Sequence, residues 1–212
     1  MNSFISILVF VLLTIYNFCI NNFFSVPLKG GSKENFNQNQ ILNIYNEPLK
    51  KCGTSSMSSG SWDSQGKCSE LGGGVHQICV KNIANNATGF SEKTGQSAWS
   101  DGRGKDNHCV CLGAWALYSA QKNVKDKKIL KCDAIPKASL STDYVSKFSE
   151  GWNKWNGLEM DNQIINGVES MVKSCYISNN DSKSKQLKKN YCEFAKKVSA
   201  LKKTNYFNTM CN

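Results

Sequence analysis

The chain has 212 residues with a formal net charge of +10, and ten of its residues are cysteines. This length allows one domain, or at most two small ones, and so many cysteines are typical of a disulfide-stabilised protein rather than of a cytosolic one. The 26 basic residues include a single arginine, Arg103, which disfavours bidentate recognition of phosphates and therefore nucleic-acid binding.

The first predicted element is an apolar N-terminal segment. Residues Phe4 to Ile20 contain no charged side chain, and polar residues return at Asn21. Such a segment is typical of a signal peptide, here residues 1–25, although a run of about 17 apolar residues also fits a short signal anchor. Either interpretation sends the chain into the secretory pathway, so we expect a secreted, extracellular or cell-surface protein.

Two polar regions follow this leader. Residues 26–40 are rich in Asn, Gln and Gly and are predicted to be a disordered lead-in. Residues 41–212 are predicted to form a single cysteine-rich domain, whose first half, 41–107, is loop-rich. Within that half we expect a short helix ending near Pro48 and a Ser- and Gly-rich loop over residues 54–74.

The second half of the domain, residues 108–212, is predicted to be helical. The nearly continuous apolar run over 108–121 predicts a buried central helix. Further helices are predicted over 142–155, 161–175 and 183–203 from apolar residues at spacings of three and four. In the helix predicted over 161–175, the apolar stripe is Ile164, Val168, Met171 and Cys175. The predicted fold is mainly α, a disulfide-stapled bundle of three to five helices.

The last predicted helix carries many lysines opposite its apolar stripe. These lysines are candidates for contact with sulfated glycans or other polyanions. The alternative is a solvated helix face in a lysine-rich chain. The candidate residues are Lys185, Lys188, Lys189, Lys196, Lys197, Lys202 and Lys203.

The cysteines that follow the leader predict a disulfide framework. They are Cys52, Cys68, Cys79, Cys109, Cys111, Cys132, Cys175, Cys192 and Cys211. Cys109 and Cys111 are expected to bond to cysteines of the loop-rich half, whereas Cys175 and Cys192 bond to each other or to Cys132 and Cys211. Because nine is an odd number, one thiol stays free, links the chain to a second copy in a dimer, or pairs with a retained Cys19.

A zinc site is the alternative use of the same part of the chain. Zinc accepts cysteine and histidine ligands in tetrahedral sets, and the available residues are His76, Cys79, His108, Cys109 and Cys111. An oxidising compartment favours disulfides over thiolate ligands, so we expect neither a metal nor a cofactor. Two sequons in predicted loops, at Asn86 and Asn180, are candidate glycosylation sites.

The distinguishing features of the chain are its leader, its nine later cysteines and a composition rich in lysine, asparagine and isoleucine. In this composition and architecture it resembles the small secreted cysteine-rich surface antigens of apicomplexan parasites, the malaria parasites among them. The resemblance implies a non-enzymatic protein that acts by binding, as an adhesin or antigen. Its partner would be a host or cell-surface protein or a sulfated glycan. A small disulfide-rich extracellular enzyme or inhibitor is the alternative.

Overall fold

The computed structural model of the chain describes residues 41–53, 65–69, 76–121, 128–150 and 160–212. All of these belong to the unit formed by residues 39–212. The predicted leader, the lead-in and most of the Ser- and Gly-rich loop lie outside the described residues. Among the residues described, no helix combines the length and the apolar character that crossing a bilayer requires.

Two short strands form a small antiparallel sheet. Strand β1 covers Ile78–Val80 and strand β2 covers His108–Val110, with Cys79 directly opposite Cys109. Both strands are buried along their whole length. Because side chains alternate between the two faces of a sheet, Cys79 and Cys109 share one face and His108 lies on the other.

The connection between the strands contains two single-turn helices. Helix α1 covers Ile83–Asn86 and α2 covers Phe90–Lys93. Gly89 precedes α2 with a φ of 66°, a left-handed conformation that costs glycine little. Its backbone N–H donates to the Asp101 carboxylate at 3.1 Å, which closes the connection on itself. The half that was predicted to be loop-rich is therefore partly helical.

Helix α3, Leu112–Ser119, is buried on every side. This agrees with the predicted central helix, since an all-apolar helix belongs in a core. The prediction is wrong for residues 108–111, because 108–110 pair with β1 and Cys111 is the N-cap of α3. Non-local strand pairing has overridden the local helical pattern.

Helices α4, Thr142–Glu150, and α5, Met160–Cys175, follow, and α5 packs against both α3 and α4. The crossing of α3 and α5 depends on Gly167. A Cβ added to Gly167 would lie 2.6 Å from the Cβ of Ala116. The Trp115 indole N–H donates to the Gly167 carbonyl at 3.1 Å across the same crossing. The two helix backbones therefore approach closely at this point.

Three helices complete the chain: α6 over Ser182–Ala195, α7 over Ser199–Lys202 and α8 over Asn205–Cys211. Asp181 caps α6 by accepting the backbone N–H of Ser184 at 2.7 Å. The single helix predicted over 183–203 is wrong, because the chain leaves the helix between α6 and α7.

Residues 41–50 form a tight turn instead of the predicted short helix. The Asn43 side chain accepts the backbone N–H groups of Tyr45 and Glu47, at 2.9 and 3.0 Å. Asparagine stabilises turns in this way because its short side chain can replace a backbone acceptor. The Asn190 side chain of α6 donates to the Ile44 carbonyl at 2.9 Å and fixes this turn to the helical half.

The mainly α fold class is confirmed, and so is its stapling by disulfides. The small sheet is an addition to it. The bundle arrangement predicted for 108–212 stays a prediction, because residues 122–127 and 151–159 lie outside the described part of the chain.

Candidate functional site

Eight of the nine cysteines form four disulfides: Cys52–Cys79, Cys68–Cys109, Cys132–Cys175 and Cys192–Cys211. The first two lie side by side on one face of the sheet, because Cys79 and Cys109 are cross-strand neighbours. The Sγ atoms of Cys52, Cys68 and Cys79 lie within 4.8 Å of one another. These two bonds attach the segments around residues 52 and 68 to the sheet. The prediction that Cys109 bonds to a cysteine of the loop-rich half is confirmed.

The other two disulfides belong to the helical half. Cys175, at the end of α5, bonds to Cys132, and Cys192 of α6 bonds to Cys211 of α8. The sequence left open whether Cys175 and Cys192 bond to each other or to Cys132 and Cys211. In the structure they bond to Cys132 and Cys211, respectively. Each bond joins a helix to a segment that follows or precedes it in the chain.

Cys111 lies outside the four disulfides. The prediction that it bonds to a cysteine of the first half is wrong, because its side chain is turned toward the start of α3. Its Sγ accepts the Ala114 backbone N–H at 3.3 Å. The side chain is buried, with 5% of the residue exposed, so the fold does not present this thiol to a second chain.

The residues of the alternative zinc site are not arranged as one ligand set. Cys79 and Cys109 are bonded in disulfides, whereas zinc binds thiolates. His108 lies on the face of the sheet opposite Cys109. Cys111 caps α3, and His76 is half-buried before β1. The structure therefore uses these residues to build the fold.

His108 is a buried, neutral aromatic residue. His108 is 7% exposed, and the centroid of its ring lies 4.5 Å from the centroid of the Trp99 ring. Burial, with smaller contributions from the charges of Arg103 and His76, lowers the pKa of His108 to about 3. The imidazole is therefore uncharged at neutral pH and packs like any other core ring.

This burial makes the protein sensitive to mild acid. The unfolded chain takes up a proton on His108 near pH 6.5, whereas the folded chain does so only near pH 3. The contribution of His108 to the free energy of unfolding is therefore fully present above about pH 6.5 and is lost as the pH falls toward 3. Between pH 7 and pH 5 we expect the free energy of unfolding to fall by about 2 kcal/mol from this group, measured by urea unfolding.

The matched variant is His108→Phe, which keeps an aromatic ring against Trp99 but cannot titrate. Its loss of stability between pH 7 and pH 5 should be smaller than that of the unmodified chain by about 2 kcal/mol. Equal losses in the two proteins would show that His108 titrates normally in the folded state, which would contradict its burial.

A second buried titratable cluster lies among α5, α6 and α8. Glu169 is 5% exposed, and the Lys173 ammonium lies 3.7 Å from its carboxylate and 4.3 Å from the Tyr206 ring centroid. Burial, together with the charge of Glu169, raises the pKa of both Tyr191 and Tyr206. The phenols stay protonated at neutral pH, and Lys173 lies within ion-pair distance of Glu169, which suits a structural cluster that joins three helices.

Four of the seven candidate lysines form a lysine ridge on α6, defined as Lys185, Lys188, Lys189 and the C-cap residue Lys196. Spacings of four and seven residues place Lys185, Lys189 and Lys196 on one helix face, with Lys188 beside them. This face is opposite the buried Leu187 and its neighbours. Within the described residues, none of the four lysines belongs to an ion pair.

The remaining three candidate lysines lie elsewhere. Lys202 ends α7 and Lys203 is its C-cap, and both are exposed. Lys197 lies in the bend between α6 and α7, where it lines an apolar groove. The single lysine face predicted from a continuous helix is therefore divided by the bend after Ala195.

A second basic surface was not predicted from the sequence. This basic depression encloses about 420 Å³ around the Cys132–Cys175 disulfide. Ile177 lines it and is 65% exposed. Its lysines come from three separate stretches of the chain, so no local pattern could reveal them. They are Lys81, Lys128, Lys131 and Lys183.

Two of the lysines in the basic depression already have partners, and a carboxylate lies among its lining residues. The Lys183 ammonium lies 2.9 Å from the Glu47 carboxylate, and the Lys131 ammonium donates to the Lys51 carbonyl at 2.8 Å. Asp133 also lines the depression and lies 3.0 Å from Lys50. The lysine ridge is consequently the more open of the two basic surfaces.

The two sequons differ in accessibility. Asn86, at the end of α1, is half-buried, and its side-chain NH₂ donates to the Lys81 carbonyl at 2.9 Å. Asn180 is exposed in the turn between α5 and α6. Both stay predicted glycosylation sites, and Asn180 is the one that an enzyme would reach more easily.

The two basic surfaces are the strongest candidates for a functional site in the part of the chain that the structure describes. The disulfide cysteines are buried or half-buried and His108 is buried, so these residues serve the fold, whereas the ridge lysines combine charge with greater exposure. Comparisons with protein-family models, with curated proteins and with solved structures found no match to this chain.

Proposed function

We propose that the chain is a secreted or surface-associated protein of the parasite type, an adhesin or antigen that works by binding rather than by catalysis. Its ligand class in this proposal is the sulfated glycans. The observation that carries the proposal is the lysine ridge, four ammonium groups on one side of α6. Several disulfides are typical of extracellular proteins, which is the setting such a ligand requires.

Electrostatics favour a polyanion at the lysine ridge. Lys185 and Lys196 are separated by eleven residues, which corresponds to about 16 Å along a helix. The ridge is therefore an extended row of positive charges, interrupted by the exposed Glu193 between Lys189 and Lys196, and its length matches a linear polyanion better than a single small anion. Each ammonium acts as a flexible point charge that can follow sulfate groups without a fixed bidentate geometry. Releasing counterions from the glycan would provide much of the driving force.

The test is salt-dependent binding to immobilised heparin, using the variant Lys185→Gln/Lys189→Gln/Lys196→Gln. We expect the slope of log K against log salt concentration to decrease in magnitude by roughly two to three, about one for each lysine lost. The elution salt concentration should fall accordingly. All three side chains are exposed, so the variant should unfold at the same urea concentration as the unmodified chain.

The control is Lys93→Gln/Lys105→Gln/Lys137→Gln, which removes the same total charge from exposed positions outside both basic surfaces. It should retain most of the heparin affinity. Equal losses in the two triple variants would mean that only net charge matters and would exclude the lysine ridge as a site. Retention of the unmodified chain no better than on a neutral resin would exclude sulfated glycans and leave a protein partner.

A further inference from the structure

An apolar groove lies between α4 and α7, with α5 as its floor. Val145 of α4 forms one wall, Ile164 and Ile165 of α5 form the base, and Val198 begins the other wall. The enclosed volume is about 360 Å³, which is at the small end of the range for ligand pockets. The groove is large enough for one small molecule and is open at the surface.

The polar groups described at this groove are neutral or positively charged. Of the lining residues in the described ranges, Lys197 is the charged one, and Thr142, Ser146 and Ser199 contribute hydroxyl groups. Among the residues that the structure describes, no carboxylate lines the groove, and Lys197 belongs to no ion pair. The groove thus offers an apolar floor with one ammonium group and the hydroxyl groups of Thr142 and Ser199 at its edge.

We propose that this groove binds a single-chain fatty acid. The alkyl chain lies on Val145, Ile164 and Ile165, and the carboxylate pairs with the Lys197 ammonium and the neighbouring hydroxyl of Ser199. Burial of the chain provides the affinity, and the ammonium selects an anionic head group. A sulfated glycan has too little apolar surface to use this floor, so the groove and the lysine ridge serve different ligands.

The head group and chain length distinguish this proposal from a merely apolar surface. In calorimetric titrations of the full chain with dodecanoate, below its micelle concentration, we expect saturable binding at one site. Dodecan-1-ol and dodecyltrimethylammonium should bind about five-fold more weakly, the upper range for an exposed ion pair. Decanoate and octanoate should weaken progressively, by up to about four-fold for each methylene removed.

Two neighbouring lysines provide a matched pair of variants. Lys197→Gln should reduce dodecanoate affinity to that of dodecan-1-ol, whereas Lys196→Gln, next to it on the lysine ridge, should leave that affinity unchanged. Ala200→Trp places a large ring on the exposed wall of the groove and should abolish binding of all three head groups. A thermal melt of each variant checks that the fold is kept.

Three results would each overturn the proposal: no saturable dodecanoate binding to the unmodified chain, equal affinity for the three head groups, or equal behaviour of the two lysine variants. Heparin retention of Lys197→Gln is measured in parallel. Because the lysine ridge does not include Lys197, retention should be nearly unaffected by this variant while dodecanoate affinity falls about five-fold. Failure of one proposal is therefore distinguishable from failure of the other.

Discussion

Replacing both Cys132 and Cys175 with alanine is expected to lower the free energy of unfolding by about 4 kcal/mol. The two residues are 43 positions apart, and their bond removes the entropy of that loop from the unfolded chain. Cys175 is also at the end of α5, whose buried face contacts α3. Urea unfolding of the oxidised variant, compared with the oxidised unmodified chain, measures the difference.

The matched control is Cys192→Ala/Cys211→Ala, which removes the disulfide of α6 and α8. Its loop is only 19 residues, so the expected loss is smaller, about 3 kcal/mol. Both double variants remove the two cysteines of a disulfide together and so leave no newly unpaired thiol that could form incorrect bonds. Unchanged stability of the Cys132/Cys175 variant would show that this bond is not formed in the folded protein, whatever the result for the control.

Gly167→Leu is expected to destabilise the protein by about 3 kcal/mol. Any side chain at this position meets the backbone of α3, since a Cβ would lie 2.9 Å from the Ala116 Cα. The helices would have to separate, and overpacking of this kind costs on the order of 1–3 kcal/mol. Separation would also lengthen the hydrogen bond from Trp115 to the Gly167 carbonyl. Thermal or urea unfolding provides the measurement.

Two controls separate overpacking from helix propensity. Asn166→Leu, at the exposed neighbouring position of α5, should change stability by no more than about 0.5 kcal/mol. Combining Gly167→Ala with Ala116→Gly should recover part of the loss of Gly167→Ala alone, because it removes the Cβ nearest to the new methyl group. Purely additive effects of these two substitutions would exclude a direct clash.

Elements with strong local periodicity could be predicted from the sequence. Helix α5 begins within one residue of its predicted start and ends at Cys175, and Ile164, Val168 and Met171 are all buried. These residues follow the helical repeat, and no proline interrupts them. The exposure of Lys185, Lys189 and Lys196 follows from the same repeat.

Elements that depend on distant partners could not be predicted in this way. Residues 108–110 are as apolar as the helix that follows them, so no local feature marks the change from strand to helix. Their pairing with Cys79 and its neighbours supplies the missing information. Similarly, the turn at Asn43 is fixed to the helical half by the Asn190 contact with Ile44, and periodicity cannot reveal such a contact.

The candidate sites show the same division. Lys185, Lys189 and Lys196 lie on one helix and were found from the sequence, whereas the basic depression combines residues from around positions 81, 130 and 183. Lys197 was predicted to be part of a continuous lysine face. The bend before α7 moves it to the apolar groove instead, and nothing in the helical repeat of 183–203 indicates that bend.

The four disulfides divide the covalent connections of the chain into three separate groups. The first group covers residues 52–109, the second 132–175 and the third 192–211. Among these four bonds, none spans positions 110–131 or 176–191. If a protease cuts the chain between residues 52 and 79, a disulfide still joins the two fragments. If it cuts between residues 110 and 131, none of the four disulfides joins the fragments. Under denaturing, non-reducing conditions such a cut would separate the sheet from helices α4 to α8.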